Sequence, residues 1–488
     1  MLNQNQAPLL DALKANVARP HAPFYTPGHK QGKGVSQLLT DLLGTKIFRA
    51  DLTELADLDN LFAPQGVIQE AQQLAAEAFG ASQTWFLVNG STCGIEAAIL
   101  ATCGTGDKII LPRNVHSSAI AGLILSGAIP IFLNPEYDPV LDIAHSITSN
   151  AVQSALQQHP DAKAVLTVYP TYYGVCGDLS AIANITHKYN IPLLVDEAHG
   201  AHFAFHPELP TPALAAGADL TIQSIHKVLG AMTQASMLHI QGDRIDCDRI
   251  SKALQLVQST SPSYLLLASL DAARQQMALH GKMLMSRTLE LTNEARTKIS
   301  QIPGLSLLSI ELGGSPGFVT LDETRLTVTV SGLGLTGFEA EEILDEKFAV
   351  TAEFASLQHL TFIISLGNIT ADIEQLVQSF TTLAKEYRQT NLITSPNEQN
   401  FLTTQAHALH FSPREAFFAA SETLPLAQTS DRICAEIVCP YPPGIPVLMP
   451  GEIITKPVLE YLQQIQVMGG FISGCTDISL RKLKVVKQ

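Results

Sequence analysis

The sequence predicts an α/β protein: a mostly parallel seven-stranded sheet in a large domain, with smaller α+β domains toward the C-terminus. Three observations support this. From about residue 84, short β-branched or aromatic runs alternate with longer helical patterns, which is how a sheet built from crossover units reads. From about Ser286 the alternation stops, and long helical patterns carry only occasional strands. Finally, 488 residues with 46% hydrophobic and 15% charged side chains exceed what a single core takes, so two or three domains are expected.

Residues 1–45 read as an N-terminal arm and 46–285 as the large domain. Its candidate strands are 84–88, 108–111, 129–133, 164–168, 193–195, 220–223 and 236–240, each an apolar or β-branched run of strand length. Helices are predicted between them at 93–101, 117–126, 151–158 and 179–189. Only about a dozen residues without a full helical pattern separate the last two strands, so that pair is expected to be antiparallel. A small α+β domain follows at 286–388, with strands at 326–330 and 360–364. The polar stretch 388–405, with Ser395 and Pro396, reads as the linker to a last domain at 389–488.

The formal charge of -15 excludes a basic phosphate-neutralising surface and with it non-specific nucleic-acid binding. An acidic surface suits a cationic small molecule instead. The seven cysteines are odd in number, scattered and without a Cys-x-x-Cys pair, which predicts reduced thiols. Residues 1–16 lack the basic and apolar regions of a signal peptide. The longest low-polarity stretch, 118–133, is shorter than a membrane span and contains Pro130, so a cytoplasmic location without a membrane partner is expected.

Asn89-Gly90-Ser91-Thr92 follows one predicted strand and opens a helix, so its hydroxyls and N–H groups either face a bound phosphate or merely cap that helix. The run PLLVDEAHGAH at 192–202 places Asp196 just past the end of a buried apolar strand, where ligands of open α/β sheets sit. A carboxylate there needs a partner: a pyridinium nitrogen, a helix start or a structural cation. The VDEAH spelling also occurs in helicases, but no phosphate loop of the G-x-x-x-x-G-K-[ST] type exists in the chain. His199 and His202 lack a third ligand at a zincin spacing, so no metal is expected. At the end of the next apolar run stand Ser224, Ile225, His226 and Lys227, and a lysine amine forms Schiff bases when desolvation or a neighbouring cation lowers its pKa.

Together these motifs resemble fold-type I pyridoxal-phosphate enzymes of the aspartate aminotransferase type, and more narrowly the Orn/Lys/Arg decarboxylase family. The resemblance spans seven collinear blocks: YTPGHKQG at 25–32, FLVNGST at 86–92, PRNVHSS at 112–118, DEAHGAH at 196–202, SIHK at 224–227, STSPSY at 259–264 and PYPPGIPVLMPGE at 440–452. It implies that pyridoxal 5'-phosphate is held by Lys227, that Asp196 pairs with its ring nitrogen, and that Ser91, Thr92, Ser224 and His226 bind its phosphate. It further implies that His116 stacks on one ring face, that Ala198 packs beneath the other, that His199 belongs to the cofactor-binding set, and that Ser259 reaches a phosphate in the neighbouring subunit of a homodimer or larger assembly. The resemblance is to a short form of the family, in which the N-terminal wing domain of the long members is expected to be missing.

The reaction implied is decarboxylation of arginine, lysine or ornithine, feeding polyamine metabolism. An aminotransferase is the rival enzyme, with Arg325 and Arg388 as candidate carboxylate clamps; a non-catalytic cofactor-binding relative is the other alternative. Glu452 ends a proline-rich, stiff segment, so it either meets the distal positive group of the substrate or caps a following helix. The acidic segment 51–59 is a secondary source of such a carboxylate.

Overall fold

The computed structural model describes residues 2–20, 22–387, 409–441 and 444–487. The expected linker at 388–405 lies outside the described residues. Seven strands form the large sheet, numbered here along the chain: β1 (Gln83–Leu87), β2 (Lys108–Pro112), β3 (Ile129–Leu133), β4 (Ala164–Val168), β5 (Leu193–Asp196), β6 (Leu220–Gln223) and β7 (Ser236–Ile240). Their order in the sheet is β1-β7-β6-β5-β4-β2-β3. β2 is parallel to both β3 and β4, whereas β7 runs antiparallel to β6 and to β1. Between β6 and β7 the chain makes only the four-residue helix Ile225–Val228, short of the crossover that parallel neighbours require.

The strands read as continuous apolar runs because both faces are covered; every residue of β4, β5, β6 and β7 is buried. The helix Gly90–Thr102 packs closely, and Gly94 is where the closeness matters: a Cβ there would stand 2.7 Å from Leu87 Cδ1 and 2.8 Å from Ile222 Cγ2. That helix starts three residues before the expected 93, with Ser91 and Thr92 in its first turn and Gly90 entering it at a φ of 76°. Helix Ser117–Ser126 has its expected bounds, and Ser149–Gln158 starts two residues before 151.

Two compact units make up the chain, Met1–Ala101 with Asp196–Met285, and Thr102–Val195 with Ser286–Gln488. In the first, the N-terminal helix Pro8–Ala18 is anchored by side chains of the long helix Tyr264–Ser300: Asp271 Oδ2 accepts from the amides of Leu9 and Leu10 at 3.0 and 3.3 Å, and Arg274 donates to the carbonyls of Gln4 and Gln6. In the second, an antiparallel four-stranded sheet (Ser306–Leu307, Arg325–Thr329, His359–Ile363 and Phe354–Ala355) packs with helices Gly337–Phe348 and Thr370–Glu386 around Val328, Leu344, Leu360 and Phe380. Further along the chain, Ser421–Pro425 pairs with Lys482–Val486, and helix Lys456–Val467 buries Val458, Leu462 and Ile465. Among the described residues no helix is long and apolar enough to cross a membrane, and the seven cysteines form no disulfide.

Candidate active site

β5 runs through Leu193, Leu194 and Val195, all fully buried, and delivers Asp196 as its last residue rather than just beyond its end. Asp196 Oδ1 accepts from the Ala198 amide at 3.2 Å, so the carboxylate stabilises the turn that follows its strand. Burial pushes its pKa up, opposed by the positive charge of Lys227 and by the Ala198 amide. A carboxylate kept this dry gains from a cationic partner.

β6 leads into Ser224, which stands at the N-cap position of the short helix carrying His226 and Lys227 without a side-chain capping bond. Lys227 Nζ lies 3.0 Å from His199 Nε2, three residues beyond Asp196. His226 Nδ1 lies 3.0 Å from the Ala235 carbonyl, a pairing that requires the proton on Nδ1. Ser224 Oγ donates to Ser91 Oγ at 2.8 Å, which joins two hydroxyls 133 residues apart in sequence at the first turn of helix Gly90–Thr102. Thr92, in the same turn, is exposed. The structure thus brings together Ser91, Asp196, Ala198, His199, Ser224 and Lys227.

Two expected site residues stand on other elements. His116 is the N-cap of helix Ser117–Ser126: its Nδ1 accepts from the Ser118 amide at 3.2 Å, which leaves the proton of the neutral ring on Nε2. Ser259 sits on an exposed turn, where its Oγ accepts from the Ser261 amide at 3.2 Å.

The set fits pyridoxal phosphate. A helix N-terminus with paired serine hydroxyls suits a phosphate, a dry carboxylate suits a protonated ring nitrogen, and a part-buried lysine hydrogen-bonded to an imidazole suits a covalent attachment.

Glu452 lies in a buried ion pair. It is 2% exposed, and Arg113 holds both of its oxygens, with Nε at 3.2 Å from Oε1 and Nη2 at 3.0 Å from Oε2. The Met449 amide adds a third donor, and Arg113 also donates to the carbonyls of Pro446 and Val447. The carboxylate and guanidinium therefore tie the end of the 440–452 segment to the end of β2; Pro442 and Pro443 of that segment lie outside the described residues. The acids of 51–59 are likewise engaged within the protein. Asp51 meets His29 at 3.1 Å, Glu54 accepts from Asn60 at 2.7 Å, Asp57 pairs with Arg19, and Asp59 accepts the amides of Gly66 and Ile68 that open a helix. Against the raising effect of burial, the amides of Gln65, Asn60, Gly66 and Gln69 hold the Asp59 carboxyl below its ordinary range.

Of the two arginines considered as carboxylate clamps, Arg325 is fully buried at the start of its strand, 4.0 Å from Asp322, and Arg388 lies outside the described residues. Sequence reasoning missed two buried charged residues beside the motifs. Arg113 precedes His116 by three positions, and Glu197 follows Asp196 directly. The signal for Arg113 was a charge immediately after an apolar run, and for Glu197 a second carboxylate beside Asp196.

The model of the Orn/Lys/Arg decarboxylase major domain matches residues 7–312, and that of the C-terminal domain of the same family matches 396–475. An arginine decarboxylase of Bacillus subtilis is 41% identical over 487 residues, covering 100% of this chain and 99% of the relative. One from Halalkalibacterium halodurans is 39% identical over 488 residues, with the same coverage. The constitutive lysine decarboxylase of Escherichia coli is 24% identical across 96% of this chain and 79% of its own length. Its solved structure superposes with a TM-score of 0.82 at 22% identity, covering 99% of this chain and 82% of that one.

Proposed function

Because this chain belongs to the Orn/Lys/Arg decarboxylase family and is a pyridoxal-phosphate-dependent decarboxylase of a basic amino acid, we propose that its substrate is arginine, released as agmatine and carbon dioxide into polyamine metabolism. The observation that carries this reading is the likeness to arginine decarboxylases at 41% and 39% identity over the whole chain, against 24% for a lysine decarboxylase. The direct test is incubation of the purified protein with arginine, lysine and ornithine separately, with the amine identified by mass. Agmatine as the main product is expected, and cadaverine or putrescine in its place would overturn the choice of arginine.

When bound, the cofactor supplies an electron sink for the pair left at Cα as the carboxylate departs. Lys227 would hold it covalently, and Asp196 would keep its ring nitrogen protonated. Ser91, Thr92, Ser224 and His226 would take the phosphate, with Ala198 and His116 against the ring. His199 would orient Lys227, since its Nε2 lies 3.0 Å from Nζ, within hydrogen-bond reach. Lys227 or His199 would then return the proton to Cα. Arg113 and Glu452 do not touch the substrate in this reading; they fix the proline-rich segment through the buried pair.

The active unit is at least a homodimer in this reading, supported by the exposed Ser259 turn, which stands on a different element from Ser91, Asp196 and Lys227. The absence of any disulfide among the seven cysteines supports a reducing, cytoplasmic setting.

A further inference from the structure

Behind the residues assigned to the cofactor, four buried polar side chains form one hydrogen-bonded line. Glu197 Oε2 accepts from Gln223 Nε2 at 2.8 Å and from Thr221 Oγ1 at 2.9 Å, while Oε1 accepts from the Ala213 amide at 2.8 Å. With its amide nitrogen committed to Glu197, Gln223 offers Oε1 to His239 Nε2 at 3.2 Å. His239 then receives the Thr84 hydroxyl at Nδ1, 2.7 Å away. Glu197 and His239 are fully buried, and Gln223 and Thr84 are 3% and 2% exposed.

These residues belong to β6, β7 and β1 and to the position just past β5, which are consecutive neighbours in the sheet. Three of the four strands lead directly into the groups assigned to the cofactor: β5 ends in Asp196, β6 precedes Ser224 and Lys227, and β1 precedes Ser91 and Thr92. Thr221 and Gln223 share one face of β6, since side chains alternate along a strand; Ile222, on the other face, meets helix Gly90–Thr102 at Gly94. The line thus lies on the face away from that helix. Gly200 leaves room for it, because a Cβ there would come within 2.8 Å of Glu197 Cγ. β5 and β6 have only four residues each, so backbone pairing alone fixes their last residues weakly.

We propose that Glu197, relayed through Gln223 and His239 to Thr84, is a positioning residue for this decarboxylase: the line holds the ends of β5, β6 and β1 in one register, and with them Asp196, Lys227 and Ser91. None of the four touches the cofactor or substrate, and none appears among the residues assigned above. The inference rests on the assignment of Asp196, Ser224 and Lys227 to the cofactor.

The test uses the holoenzyme and three variants. Glu197→Met removes the acceptor at one end of the line, and Gln223→Met cuts it one strand away while leaving Glu197 its bonds to Ala213 and Thr221. Glu197→Gln is the conservative variant: its amide can donate to Gln223 if the Gln223 amide and the His239 tautomer reverse, so every bond of the line reforms in the opposite sense. Both methionine variants are expected to lower kcat on the order of 10- to 100-fold, the scale of a misplacement near 1 Å, with KM within about threefold. They should also shift the absorption band of the bound cofactor and speed its release on dialysis, and Glu197→Gln should recover most of the loss in each readout. Should Glu197→Met not fold, Gln223→Met carries the same expectation.

Parent-like kcat, spectrum and cofactor release in Gln223→Met would overturn the proposal. So would a Glu197→Gln variant as impaired as Glu197→Met, because charge rather than a continuous line would then matter. Borohydride reduction separates the premise from the inference. Label on Lys227 with unaltered variants overturns the line alone, whereas label on another lysine overturns the assignment and the inference together.

Discussion

In the proposed reading Lys227 is the residue on which the chemistry converges, and its surroundings make that role testable. It is part-buried, with His199 at 3.0 Å and Asp196 close enough for its charge to counter the effect of burial on that carboxyl. Reduction of the holoenzyme with borohydride should fix the cofactor to the peptide containing Lys227. Lys227→Ala should still bind cofactor through the serine hydroxyls yet lose kcat by several orders of magnitude, because the covalent nucleophile is gone. Asp196→Asn keeps the shape and the bond from Ala198 but removes the charge, so kcat should fall on the order of a hundredfold; a parent-like rate would refute the electron-withdrawing role. Glu197 adds a prediction about stability. Burial raises its carboxyl from 4.5 to about 7, with the donors of Gln223, Ala213 and Thr221 opposing. Between those values the folded chain keeps a proton that the unfolded chain releases, so this group's contribution to stability is present at low pH and is lost as pH rises toward 7. Urea midpoints at several pH values should fall through that window in the parent protein, and the difference from Glu197→Gln should change with the same sign.

At the scale of elements, Arg113 and Glu452 show how a strand end and a distant segment are joined. Their side chains are 1% and 3% exposed, and removing one partner of such a pair leaves a buried charge at a cost of about 3 to 5 kcal/mol. Glu452→Gln keeps the shape and part of the bonding, so the lower end of that range is expected as a drop in unfolding free energy, measured by urea titration. KM for arginine and for an uncharged analogue should change alike. A raised KM for arginine alone, at unchanged stability, would return Glu452 to the direct substrate contact that its sequence position suggested. Sequence patterns revealed the strands well where apolar runs were clean: 129–133, 164–168, 220–223 and 236–240 coincide with β3, β4, β6 and β7. They misplaced the start of helix Gly90–Thr102, because Gly, Ser and Thr have low intrinsic helix propensity and packing supplies what they lack. The placement of Ser91 and Lys227 shortly after strands and of Asp196 at a strand end was legible from the apolar runs that precede them. The partnership of Arg113 with Glu452 was not, since 339 residues separate the two and neither motif alone specifies the other. The Glu197 line was hidden for a related reason, as His239 and Thr84 look like ordinary strand residues until the sheet order makes them neighbours.

At the scale of the whole molecule, two expectations concern what the complete enzyme does. If Ser259 completes a neighbouring subunit's site, mixing Lys227→Ala with a Ser259→Ala variant should regenerate some parent-like sites once subunits exchange, and activity should exceed the mean of the two parents. Full activity in a species shown to be monomeric would sink the shared-site reading. The second expectation is specificity for arginine. A guanidinium is planar, always charged and carries five donors in a fixed fork, whereas the ammonium of lysine or ornithine is a compact point charge with three rotatable donors. A pocket shaped for the fork leaves acceptors unpaired when an ammonium enters, and buried polar groups without partners are costly, so discrimination should exceed what chain length alone provides. The alignment with an arginine decarboxylase runs the length of the chain, through the ranges matched as the major and C-terminal domains of the family. We expect kcat/KM for arginine to exceed that for lysine and for ornithine by at least about a hundredfold. Comparable values for arginine and lysine would show that the pocket recognises only a distal positive charge.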